Sequence, residues 1–244
     1  MGKNIVICLD GTNNQFRKNN TNVVRLVQVL AHDPSKQILY YDPGVGTLSE
    51  PGAFTKIGKW FSKIMGLAFG AGLGWKVREA YTYLMDFWEP GDNVFIFGFS
   101  RGAYSARVLA GLLHTIGLLP RGNYNLVPYL FRLYKSTRSG RQSDWVVADE
   151  FRDTFARKVG TPNGEGRFPI HFLGVWDTVS SVGWVWNPTT FTFTASNPGI
   201  AIIRHAVSID ERRTFFRQNL MHPEPDQNIK ELWFPGVHCD VGGG

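Results

Sequence analysis

The residues best suited to covalent chemistry lie in Gly98-Phe99-Ser100-Arg101-Gly102. This fits the G-x-S-x-G nucleophile elbow, in which a serine sits on a sharp strand-to-helix turn and its Oγ stands at the carboxyl end of a sheet. The turn leaves no room for side chains on either side, hence the glycines. The context agrees: residues 93–97 are a strand-like apolar run and residues 103–116 carry helical periodicity. A helix starting there aims its first N–H groups at developing negative charge. The backbone N–H of Arg101 is thus one oxyanion candidate. The plainer alternative is a serine in an ordinary tight βα turn, and the strand and helix patterns on either side weigh against it.

A serine hydroxyl attacks poorly until a base takes its proton, and an acid must hold that base in place. In elbow proteins the chain order is Ser, then Asp or Glu, then His. His238 follows a strand pattern at 231–234 and a Pro235-Gly236 turn, which suits the base. His171 lies inside a strand pattern and His222 in a polar, Pro-rich loop. His205 is the closest competitor and is set aside on chain order. For the acid, Asp177 closes the strand pattern at 170–175 and is preferred. Asp210 is the alternative acid, while Asp240 lies too near His238 in sequence to fold back onto it.

The first apolar run ends in Asp10-Gly11-Thr12-Asn13-Asn14. The loop after an early strand supplies the second oxyanion N–H in this arrangement, so Gly11 and Thr12 are candidates. Asp10 could equally cap that turn with its own carboxylate. The same segment resembles the opening of haloacid-dehalogenase-type phosphatases. Their nucleophilic aspartate would fall on Cys8, however, and that chemistry is excluded.

These residues need a scaffold. Near-continuous apolar runs at 5–9, 37–41, 93–97, 170–175 and 231–234 read as strands buried on both faces. Helical patterns at 23–31, 77–88, 103–116 and 149–158 alternate with them. This alternation predicts an α/β chain: a three-layer α/β-hydrolase fold with a mostly parallel central sheet. Two segments stand apart. Residues 57–68 have an apolar stripe opposite Lys56, Lys59 and Lys63, the pattern of a lid or interfacial anchor as well as of a core-facing helix. Glycines at 66, 70, 72 and 74 should then loosen the run. Residues 178–203 carry no charge and read as a long loop, with Trp184, Trp186 and Phe191 as candidate walls of an apolar substrate pocket.

Composition narrows the setting. The chain has 244 residues, 43% hydrophobic and 19% charged, which suits one globular core rather than disorder. Two cysteines, Cys8 and Cys239, make neither a disulfide framework nor a metal knuckle. No run is long enough for a membrane span or shaped like a signal peptide, so a cytoplasmic location is expected, with signal-less export as an open route. From Arg101 to Ser143 there are seven basic residues and no acidic one. That stretch is either a solvated face or a surface for anionic substrates and lipid head groups. No nucleic-acid module accompanies the charge, and no nucleic-acid partner is expected.

Six stretches together resemble one family, the uncharacterised α/β-hydrolase domain that includes the type VI secretion phospholipase effectors. They are Cys8 to Asn14, Tyr41-Asp42-Pro43-Gly44-Val45-Gly46-Thr47, Phe97 to Arg107, Phe172 to Val179, Ser208-Ile209-Asp210-Glu211-Arg212-Arg213, and Trp233 to Gly244. The resemblance implies lipase or esterase activity with a triad on Ser100, Asp177 and His238. It also implies acyl-ester cleavage of glycerophospholipids in some members. The family continues past the histidine with a Tyr and further helices, so residues 1–244 read as a single domain truncated at its C-terminus. The expectation is a carboxylic-ester hydrolase needing no metal or organic cofactor, with a small-molecule or lipid ester as substrate and transient contact with a membrane surface. The competing class is a non-catalytic module that keeps the fold as a scaffold.

Overall fold

The computed structural model describes residues 2–11, 20–44, 58–159, 167–179, 183–184, 187–188, 191–213, 216, 218–223, 225 and 227–243; the side chains of 58–71, 183–184 and 187–188 lie outside the description. Its strands and helices alternate along the chain. In order they are β1 (Asn4–Leu9), α1 (Asn22–Val29), β2 (Gln37–Asp42), α2 (Gly58–Phe87), β3 (Asn93–Phe99), α3 (Arg101–Ile116), α4 (Val127–Ser136) and α5 (Gln142–Phe155). There follow β4 (Ile170–Trp176), a short hairpin of β5 (Gly183–Trp184) and β6 (Asn187–Pro188), β7 (Ile200–Ser208), β8 (Asn228–Phe234) and α6 (His238–Gly242).

Six strands form one sheet in the order β2-β1-β3-β4-β7-β8, each pair parallel. Alternate residues of β1 feed two cores, as the pleat requires. Ile5, Ile7 and Leu9 join the larger core beneath α2–α5, while Val6 and Cys8 join a smaller one with Val23 of α1 and Phe99 of β3. Helices therefore cover both faces, and the fold is a three-layer α/β-hydrolase arrangement. The order β2-β1-β3 reverses direction at β1, so the carboxyl ends of β1 and β3 flank a switch point, where open α/β sheets place their ligands.

Three expectations change. The uncharged segment 178–203 is not one long loop: it contains the hairpin and the start of β7, a nine-residue strand inside the sheet. Arg204 and His205 break the apolar run of β7 and hide it from a search for continuous hydrophobicity. The glycines at 66–74 do not end the preceding helix. The backbone of α2 runs through them for 30 residues, its later turns held by buried Leu73, Val77, Ala80, Tyr81, Leu84 and Met85, because tertiary packing outweighs local propensity. The strand read at 231–234 is not buried on both faces. β8 is an edge strand, and its Leu232, Trp233 and Phe234 are exposed. Helix α4, unforeseen, carries Arg132 and Lys135, with Arg138 just beyond it, as exposed basic residues, whereas Arg107 is fully buried.

Among the described residues no helix is long and apolar enough to cross a membrane.

Candidate active site

Strand β3 runs into α3 with a single residue between them, Ser100, at φ 58° and ψ −122°. A non-glycine backbone in that region is costly and persists only when its surroundings over-determine it. Here they do. The Ser100 N–H donates to Trp176 O at 3.0 Å, and Ser100 O accepts from Val179 N–H at 3.2 Å and Tyr104 N–H at 3.3 Å. The flanking glycines are steric necessities. A Cβ on Gly98 would stand 2.6 Å from Gly102 O, and one on Gly102 would stand 2.1 Å from Leu9 O. Thus the pentapeptide folds as an elbow because β1, β3 and α3 meet there with room for hydrogen alone.

Asp177 follows β4, the neighbour of β3, and its φ of 36° also lies in the left-handed region. Its Oδ1 accepts from the N–H and the Oγ–H of Ser208, at 2.8 and 2.9 Å. Its Oδ2 lies 2.6 Å from His238 Nδ1. On the other side of the ring, Nε2 is 2.8 Å from Ser100 Oγ. A carboxylate can only accept, so Nδ1 carries the proton and Nε2 offers its lone pair to the serine hydroxyl. All three side chains are buried: Ser100 is 6% exposed, His238 4% and Asp177 1%. Burial raises the pKa of Asp177, but the bonds from His238 and Ser208 outweigh it and hold the carboxyl below its ordinary value.

The imidazole is gripped on several sides. Phe99 stacks on it with centroids 4.7 Å apart, and Phe216 meets it at 4.7 Å and 64°. The loop after β7 ties down the loop after β8. Asp210 exchanges bonds with Gly236, N–H to O at 3.1 Å and Oδ2 from N–H at 2.7 Å. Glu211 Oε2 accepts the His238 N–H at 3.3 Å, and Arg213 binds Glu211 through Nε at 2.9 Å while lying 3.9 Å over Phe216. The Arg213 bond, foremost, draws the Glu211 carboxyl down to about 2.

Of the sequence candidates, Ser100, Asp177 and His238 come together. Asp210, the alternative acid, does not reach the ring and instead braces the histidine loop. Asp240 caps Val237 N–H at 2.8 Å. His205 bonds Glu231 and Thr178, while His171 and His222 are exposed. Arg101 opens α3 next to the serine. The Gly11 N–H donates to Asp10 Oδ1 at 2.7 Å, within the turn that follows β1. Asp10 Oδ2 also accepts from Thr21 Oγ1 and Tyr41 OH, at 2.7 and 3.1 Å. Thr12 and Trp186, and the Trp184 side chain, lie outside the described residues. Phe191 is buried against Tyr104, Phe131 and Tyr134. Among the described residues no group of three or more His, Cys, Asp or Glu is placed to hold a metal ion.

A parallel sheet whose third strand ends in a strained serine, with an imidazole and a carboxylate in line behind it, defines the class of α/β-hydrolase-fold proteins. Residues 3–244 match the family described as T6SS, Phospholipase effector Tle1-like, catalytic domain, and the chain belongs to it. Saccharomyces cerevisiae has a relative, the uncharacterized protein YEL023C, 35% identical over an alignment of 236 positions that covers 92% of this chain and 33% of that protein. A crystal structure of an uncharacterized protein from Pseudomonas aeruginosa aligns with all of this chain and 42% of its own, at 18% identity and a TM-score of 0.51. The Tle1 effector, solved bound to the VgrG spike of the type 6 secretion system, aligns over 99% of this chain and 51% of its own, at 20% identity and a TM-score of 0.48. The chain thus spans about a third to a half of the length of the proteins it matches.

Proposed function

We propose that this domain is a serine-dependent carboxylic-ester hydrolase acting on lipid or phospholipid acyl esters. The observation that carries this reading is the unbroken path Ser100 Oγ–His238 Nε2–Asp177, with contacts of 2.8 and 2.6 Å. Family membership supports lipid as the substrate class.

In this reading Oγ attacks the ester carbonyl while Nε2 takes its proton. The imidazolium, stabilised by Asp177, then returns that proton to the leaving alcohol. Water resolves the acyl-serine by the same route, releasing the carboxylic acid and freeing the serine. The Arg101 N–H, in the first turn of α3, stabilises one side of the oxyanion, and Gly11 and Thr12 are the candidates for the second donor. Each such donor typically contributes about 3 kcal/mol to lowering the barrier.

A fluorophosphonate probe tests the nucleophile, and mass spectrometry of phospholipid vesicles tests the substrate class. The wild-type chain should be labelled once and release free fatty acid, while Ser100→Ala should do neither. A folded wild type that takes no label and releases no acyl group would overturn the proposal in favour of a non-catalytic scaffold.

A further inference from the structure

Behind the triad lies a second histidine with a carboxylate of its own. His205 sits on β7 directly across from Glu231 on β8; the residue is 2% exposed and its Nδ1 is 2.7 Å from Glu231 Oε2. The same Oε2 accepts the Met221 N–H at 2.9 Å, which fixes the carboxylate in turn. Because the carboxylate only accepts, Nδ1 carries the proton and Nε2 is left with a lone pair. That lone pair faces two donors of one residue, the N–H of Thr178 at 3.3 Å and its Oγ1 at 3.2 Å.

Thr178 is the residue after Asp177, whose positive φ must be held from outside. The neighbouring main chain is tied on both sides, Asp177 N–H to Ala206 O at 2.7 Å and Val179 N–H to Ser100 O at 3.2 Å. Between those ties, His205 supplies the acceptor for the Thr178 N–H. We propose that Glu231 and His205 form a positioning pair that locks the Asp177–Thr178 turn and so aims the Asp177 carboxylate at His238. The pair touches neither substrate nor nucleophile, and its effect on catalysis rests on the serine-hydrolase reading above. Burial, foremost, holds the His205 pKa below its ordinary value, among Glu231 of β8, Arg107 of α3 and Asp177 after β4. The ring is therefore neutral at pH 7, as an acceptor at Nε2 must be.

The test uses the full chain and three variants. Glu231→Gln keeps an oxygen acceptor for both Nδ1–H and Met221 N–H. Glu231→Met removes it and releases the tautomer, and His205→Phe removes the lone pair. A misplaced catalytic group typically costs up to about 10²-fold in rate, so Glu231→Met and His205→Phe should lower kcat by roughly 10- to 100-fold with KM unchanged. Glu231→Gln should stay close to wild type. In the two damaging variants the low-field proton resonance of His238 Nδ1–H should shift or broaden, as the Asp177 bond lengthens.

A folded Glu231→Met with wild-type kcat and an unmoved His238 resonance overturns the proposal, as does a Glu231→Gln as damaged as Glu231→Met. Should His205→Phe fail to fold, the two Glu231 variants decide alone. The resonance reports the Asp177–His238 bond whether or not Ser100 reacts. An unreactive wild-type serine thus refutes the hydrolase reading by labelling, and the resonance judges the brace separately.

Discussion

Replacing Asp177 by Asn changes one atom of the site and inverts its proton logic. The carboxylate accepts three bonds, two at Oδ1 from Ser208 and one at Oδ2 from His238. An Asn that keeps its oxygen toward Ser208 retains the first two, and its volume is unchanged, so the fold should survive. Its amide nitrogen then points at His238 Nδ1 from 2.6 Å and donates. The ring must answer with a lone pair at Nδ1 and a proton at Nε2, and that proton faces Ser100 Oγ. The base has lost the lone pair that would take the serine proton. In a serine hydrolase whose acid was changed in this way kcat fell about 10⁴-fold, equivalent to about 5 kcal/mol of barrier. The assay is ester hydrolysis at pH 7 beside the rate of fluorophosphonate labelling, with a thermal melt as control. We expect both rates to fall together by about that factor, while the thermal melt keeps a single cooperative transition, lowered by the lost carboxylate contribution. Loss of less than about tenfold in a folded Asp177→Asn would refute the tautomer argument. There is a pH counterpart. The native Asp177 carboxyl is held below its ordinary value, so it stabilises the fold above about pH 3.9 and that contribution disappears as the pH falls through the native value. The variant lacks it throughout, so the stability difference between the two proteins should shrink in acid.

Two other perturbations probe the frame around the triad. Gly102→Ala would put a methyl 2.1 Å from Leu9 O and 2.6 Å from Asp10 O; neither is a side chain that can swing away, so α3 must lift off β1. A loss of about 3 kcal/mol or more in urea unfolding is expected, together with loss of probe labelling, and an unshifted unfolding midpoint would show that the contact is not tight. Arg213→Ala frees Glu211 and uncovers Phe216, loosening the His238 loop without touching the core. Its kcat should fall by about tenfold at constant KM and constant melting temperature, and a rise in KM alone would place Arg213 on the substrate instead.

Much of this was legible in the chain because it is local. Gly98 to Gly102 dictates an elbow wherever a strand enters and a helix leaves, since only glycine fits where strand and helix backbones nearly touch. Five of the six strands of the main sheet announce themselves as apolar runs, and the order Ser, Asp, His follows from the sequence of loops along one sheet edge. The rest depends on partners far apart in the chain. His238 meets Asp177 across 61 residues and Ser100 across 138, and no periodicity encodes which carboxylate a register brings within 2.6 Å. The β4–β7 pairing sets Ser208 beneath Asp177 and leaves Asp210 bonded to the histidine loop instead. Likewise β7, flanked by β4 and β8, can carry Arg204 and His205 because Asn228 and Glu231 on the next strand satisfy them, so its polar residues concealed a central strand. That the Asp10 carboxylate turns back onto the Gly11 N–H is likewise a property of the folded turn. Composition and spacing determine which chemistry is available and at which edge of the sheet it stands. Strand register and burial decide which groups share a proton, because hydrogen bonds select among candidates by tenths of an ångström.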